Sequence, residues 1–147
     1  MTVEDMLARE GIRQTIARYT DAGDNGRYED LIPCYAEDGI FEIASGQWHG
    51  RAAIEKALRT MRAARDATVK LQRHHLGTCH ITLKGPEHAA AVTYFTVISD
   101  IGPDHAGRYL DDLVRRDGTW QFAHRNVMVE WRSDESRFLP GIPPAAA

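Results

Sequence analysis

The chain changes period near Val69, and that change limits what it can fold into. Upstream, apolar residues recur at the three-to-four-residue spacing of helices; downstream, they alternate or gather in β-branched runs. The upstream half reads as three helical segments. Residues 2–22 open with Thr2 and Asp5 in a capping arrangement and carry Leu7, Ile12, Ile16 and Tyr19 near helical spacing. Arg27–Tyr35 is a second, short segment, and Arg51–Arg65, with Ile54, Leu58 and Met61, is a third. Asp24-Asn25-Gly26 is a tight turn, because Asn and Gly accept positive φ at little cost. A short strand over Ile40–Ile43 lies between turns at Glu37-Asp38-Gly39 and Trp48-His49-Gly50.

Four β stretches follow: Val69–Leu83, Ala89–Ile101, Ala106–Arg116 and Thr119–Arg132. Gly85-Pro86, Gly102-Pro103 and Asp117-Gly118 separate them, and the last pair is a two-residue hairpin cue. Helices first and an antiparallel meander afterwards make an α+β order. The expected architecture is a cone: a curved antiparallel or mixed sheet wrapped around a cavity, with about three helices in the N-terminal half. One domain over 1–138 and an extended tail over 139–147, rich in proline and alanine, complete the expectation.

Composition narrows the partners. With 147 residues, 43% apolar and 27% charged, the chain suits one soluble domain. Eighteen basic and 21 acidic residues give a net charge of −3 without a basic face, which argues against nucleic acid. No apolar run approaches the roughly 18–20 residues that span a bilayer. The first twenty residues lack a signal-peptide core, so a cytoplasmic location is expected. Cys34 and Cys79 are too few for a disulfide framework. The seven histidines show no HxH or HExxH spacing, so neither metal nor cofactor is expected, and no glycine loop fits a nucleotide fingerprint.

An apolar, cone-shaped cavity suits a small hydrophobic ligand, and charged groups inside it carry the chemistry. Three positions stand out. His75 lies on the long third β-rich run, with His74 assigned to the opposite face. Asp24 lies where the first helix ends and can reach back over the sheet. Arg125 alternates with Ala123, Val127 and Val129 on the last strand. A carboxylate on one ring nitrogen makes the other a general base, and an arginine stabilises the anion that forms. Each residue has an ordinary reading too. Asp24 serves as a turn residue, His75 as a satisfied strand histidine, and Arg125 as the ion-pair partner of Asp100, Asp111 or Asp112.

Three segments carry a resemblance: IARYTDAGDNGRYEDLIPCYAEDGIFEI, HHLGT and GRYLDDLVRRDGTWQFAHRNV. Together they resemble the SnoaL-like branch of the nuclear-transport-factor-2-like superfamily, from about Glu4 to Trp131. The resemblance implies a cone-shaped barrel, a homodimer or homotrimer, and the scytalone dehydratase and lindane dehydrochlorinase types as functional relatives. Those enzymes use a His–Asp pair without a cofactor, and the match assigns the aspartate to Asp24, the histidine to His75 and the arginine to Arg125. Tyr19 stands where the dehydrochlorinase type has a lysine, Phe41 where it has a tryptophan, and Gly23 where the dehydratase type has a tyrosine. The implied activity is a cofactor-independent lyase or isomerase acting on a small, hydrophobic, polycyclic or aromatic-derived molecule. Tyr19, Phe41, Trp48, Tyr109 and Trp131 are the expected walls. The same resemblance also implies a non-enzymatic alternative, a ligand-binding or structural subunit like the β subunit of ring-hydroxylating dioxygenases.

Overall fold

The computed structural model describes residues 1–65 and 67–138, so the expected tail over 139–147 lies outside the described residues. Helix α1 spans Val3–Asn25. Thr2 and Asp5 close a reciprocal capping box at its start, satisfying donors that an α-helix leaves orphaned. At its end Gly26 adopts φ +68°, the left-handed cap conformation. Asp24 therefore sits in the last turn of a helix and not in a free turn. Helix α1 buries Ile12, Ile16 and Tyr19, each contributing about 1.5–3 kcal/mol of apolar burial.

Helix α2 covers only Tyr28–Leu31, and a 3₁₀ turn over Ile32–Cys34 leads into strand β1, Tyr35–Ile43. That strand starts earlier than the sequence suggests. A register irregularity between Tyr35 and Ile40 absorbs the Glu37-Asp38-Gly39 segment instead of ending the strand there. Strand β2 (Gly46–His49) pairs with it, and helix α3 (Arg51–Ala64) follows. Strands β3 (Gln72–Leu83), β4 (His88–Ser99), β5 (Gly102–Arg116) and β6 (Thr119–Arg132) are each antiparallel to the next. At the β5–β6 turn Asp117 and Gly118 both take positive φ, 51° and 77°, as a two-residue hairpin of the expected type requires.

The meander is only part of the sheet. Its order is β2-β1-β6-β5-β4-β3, and β1 runs parallel to β6. The last strand thus lies in the sheet interior and joins the helical half to the meander. The helices cover the concave face, where Tyr35, Leu113, Trp120 and Phe122 meet Ile12, Ile16 and Leu31. Gly107 permits a tight β5–β6 approach, since a Cβ there would fall 1.9 Å from the Met128 carbonyl oxygen. Tyr94, Met128 and Trp131 are exposed on the convex side. No helix among the described residues is long and apolar enough to cross a membrane.

Candidate active site

A cavity of about 220 Å³ lies between the concave sheet face, the end of α1 and the side of α3. Its apolar end is built by Tyr19, Leu31, Phe41, Leu58, Met61 and Val127. Its polar end holds Arg62, Arg65, Gln72, His74 and His105, with Phe138 beside them.

The histidine that meets Asp24 is His74. Its Nδ1 lies 2.6 Å from Asp24 Oδ1, and its backbone N–H donates to Oδ2 at 2.9 Å. Gln72 Nε2 donates to Oδ1 at 3.3 Å, so the carboxylate is held from three directions. Burial by itself pushes the Asp24 carboxyl up. The hydrogen bonds and charge of the His74 ring, with the backbone N–H and Gln72, outweigh it and hold the group below its ordinary value. Asp24 is consequently ionised at neutral pH and its side chain is only 6% exposed. An ionised partner fixes the proton of a neutral His74 on Nδ1 and leaves a lone pair on Nε2, the ring atom without a hydrogen-bond partner among the described residues.

His75, expected as the base, is corrected here: it is exposed on the convex face, one residue out of phase with Asp24. The reason is a β-bulge. Between Leu76 and Cys79 strand β3 advances three residues while β4 advances two, from Phe95 to Thr93. Beyond the bulge the inward residues are Cys79, Ile81 and Leu83; before it they are Gln72, His74 and Leu76. Extending the parity of Ile81 and Leu83 back through the bulge selects His75, and the parity of Leu76 selects His74.

A second carboxylate–imidazole pair, which no spacing in the sequence singles out, reaches the same cavity. His105 is buried, its Nδ1 is 2.7 Å from Asp104 Oδ1, and it also lines the cavity. His74 and His105 both oppose Val97, one on each neighbouring strand, so their Cα atoms are about 10 Å apart across two strand spacings. The Phe95 ring lies 6.1 Å from each imidazole and stacks on Tyr109 at 4.6 Å. Burial lowers the His105 pKa against the pull of Asp104, and the His74 charge adds to the lowering. His105 is therefore a neutral acceptor toward the cavity. Asp104 also accepts from Ser99 Oγ, Ser136 Oγ and the Arg137 backbone N–H, and burial is again outweighed, keeping it ionised.

Arg125 lies beneath the cavity and does not line it. It is 0% exposed and forms two hydrogen bonds to Asp111, at 2.8 and 2.7 Å. The rings of Tyr19, Tyr109 and Phe122 enclose its guanidinium at 4.3, 4.1 and 3.9 Å. This is the ion pair with Asp111 that the sequence left open, placed under two tyrosines that do face the cavity. Burial disfavours its charge, but Asp111 more than compensates and keeps it protonated. Of the expected walls, Tyr19, Phe41 and Tyr109 line the cavity. Trp48 instead stacks on Phe41 at 5.7 Å, and Trp131 is corrected to the convex face, 48% exposed, because it opposes Ala106 on the outward phase. Among the described residues no group of three or more His, Cys, Asp or Glu is arranged to hold a metal.

Comparisons with known proteins agree with this architecture. The chain is 21% identical to a scytalone dehydratase candidate from Novosphingobium aromaticivorans, covering 100% of this chain and 99% of that one with a TM-score of 0.81. A type 3 hexachlorocyclohexane dehydrochlorinase from Novosphingobium barchaimii LL02 superposes with TM-score 0.77 at 16% identity, over 97% and 99% of the two chains. The β subunit of a candidate aromatic-ring-hydroxylating dioxygenase from Novosphingobium aromaticivorans gives 0.73 at 18% identity, over 88% and 93%. Such identities show a shared fold. No curated protein matches the chain by sequence. The SnoaL-like domain model matches residues 4–126, most of the chain, and the protein belongs to that family.

Proposed function

We propose that the chain is a general-base lyase or isomerase acting on a small, largely hydrophobic ring compound, with His74 as the base and Asp24 as its positioning residue. One observation carries this reading: an imidazole on a mostly apolar cavity, held by an ionised and nearly buried carboxylate on its far nitrogen. In the proposed step, His74 Nε2 takes a proton from carbon next to a carbonyl, and the C–H electron pair moves into an enolate. In an elimination, that pair forms the new double bond as the C–O bond at the next carbon breaks. The imidazolium returns its proton to the departing oxygen, releasing water; in an isomerisation it returns it to a different carbon. Asp24 stabilises the imidazolium between the two transfers. Neutral His105, with Nδ1–H on Asp104, accepts a hydrogen bond from a substrate hydroxyl and so sets its orientation. The fold shared with a dehydratase candidate and a dehydrochlorinase supports the reaction class.

The test uses 3-hydroxy-1-tetralone in D₂O, which loses water to give 1-naphthol and exchanges its C2 hydrogens if only the first step occurs. The wild-type protein is expected to accelerate exchange or elimination. His74→Ala should lower that rate by about 10²–10⁴-fold, the range of a positioned general base. His75→Ala should stay within twofold. Equal rates for His74→Ala and wild type, or wild-type exchange no faster than in buffer, would sink the assignment and favour a passive binding cavity.

A further inference from the structure

The cavity wall carries two guanidiniums that face no carboxylate on that wall among the described residues. Arg62 sits in the last turn of α3 and Arg65 just beyond it, and both line the cavity. Among the described residues no Asp or Glu lines the same wall; Asp24 and Asp104 lie one side chain back, behind His74 and His105, and are engaged by them. Among the described residues neither guanidinium has a carboxylate partner. Arg62 Nη1 donates to the Gly23 carbonyl at 3.0 Å, and Arg65 Nη1 donates to Gln72 Oε1 at 2.5 Å. Both acceptors are neutral. Arg27, Arg59, Arg108, Arg116 and Arg125 each meet a carboxylate, whereas Arg9, Arg51 and Arg73, which do not line the cavity, donate to backbone carbonyls. Two half-buried like charges on one small cavity are costly unless something of opposite charge joins them. Burial and then the neighbouring Arg62 charge lower the Arg65 pKa, consistent with that cost.

Part of this arrangement has an ordinary use. Arg62 near the C-terminus of α3, and on a carbonyl at the end of α1, complements both helix ends. Arg65 caps the same helix end and lies over the Phe138 ring at 6.0 Å. Through Gln72 it is joined to the Asp24 carboxylate, which places its guanidinium two hydrogen bonds from the catalytic pair.

We infer that the ligand of this cavity bears an oxyanion, in the simplest case a carboxylate on an apolar ring skeleton, and that Arg62 and Arg65 receive it. The inference rests on the proposed site, and it adds a charge requirement that proton transfer alone does not impose. The volume, equal to about seven liquid waters, admits a compact one- or two-ring acid. The apolar end takes the rings, the two guanidiniums take the anion, and the reacting carbon falls toward His74 between them. Guanidinium suits the task, because its planar fork matches the two oxygens of a carboxylate.

The experiment compares 2-naphthoate with its neutral isostere 2-naphthamide by fluorescence titration or calorimetry, using the full chain at low and moderate salt. Wild type should bind the acid at least tenfold more tightly than the amide, with the preference shrinking as salt rises. Arg62→Gln and Arg65→Gln should each weaken acid binding several-fold while leaving amide binding unchanged, and the double variant should bind both probes alike. Arg62→Lys and Arg65→Lys, which keep the charge, should retain a preference for the acid. Melting curves of each variant identify loss of fold. Equal affinity of wild type for the two probes, or an undiminished preference in a folded double variant, overturns the inference. Exchange and elimination of 3-hydroxy-1-tetralone by wild type are read separately from the acid-over-amide preference, so a failure of the proton-transfer reading and a failure of the charge reading give different results.

Discussion

Asp24, behind His74, and His105, on the cavity wall, answer to acid in different ranges. The folded-state pKa of Asp24 lies below the ordinary 3.8, so its stabilising contribution is complete above about pH 4 and disappears as pH falls through the folded value. His105 is also depressed, from an ordinary 6.5, but it is a base. Its unfolded form binds a proton more readily than its folded form, so the fold loses stability as pH falls below about 6.5. Melting temperatures measured from pH 7 to pH 3 separate the two. His105→Gln should flatten the decline between pH 7 and 5. Asp24→Asn, which keeps an oxygen for the His74 backbone N–H, should lie below wild type at pH 6 and converge on it below pH 4. An unchanged slope above pH 5 in His105→Gln would mean that burial of this ring is not what depresses it.

Strand β6 carries the costliest polar arrangement in the described core, the enclosed Arg125–Asp111 pair. Removing one partner strands a buried charge, and Asp111→Asn should cost about 3–5 kcal/mol in denaturant unfolding. The double replacement Arg125→Met with Asp111→Leu should cost less than either single change, because two apolar side chains then pack among Tyr19, Tyr109 and Phe122. A double variant as unstable as the sum of the singles would show instead that the rings depend on the cation. Elements of this kind also show what a sequence can and cannot disclose. The capping box at Thr2, the Asp117-Gly118 hairpin and the bounds of β6 follow from local chemistry, and the residues alone reveal them. The β3 bulge does not: nothing in His74-His75-Leu76-Gly77-Thr78 states where the extra residue will sit, and one residue of phase exchanges the cavity histidine for an exposed one. Arg125 and Asp111 were each visible, but their pairing depends on cross-strand register that only the assembled sheet supplies. Arg62 and Arg65 reach the cavity only through the way α3 packs over the sheet, which no local pattern states.

At the scale of the molecule, the neighbours in space are not the neighbours in sequence. Local patterning predicted the meander but not the parallel pairing of β1 with β6, because no turn signal links strands some eighty residues apart. The helical half is joined to the rest of the sheet chiefly through that strand. A chain ended after Arg116 should therefore fail to melt cooperatively, and adding a peptide of residues 119–138 should restore a transition; cooperative unfolding of the shortened chain by itself would contradict this. A protein emerging from the ribosome in the usual direction would hold the β1–β2 hairpin and the β3–β5 ribbon apart until β6 has been translated. During that wait, two open sheet edges are offered to any other extended segment nearby. Pausing ahead of the β6 codons would lengthen that exposure, and speeding their translation would shorten it.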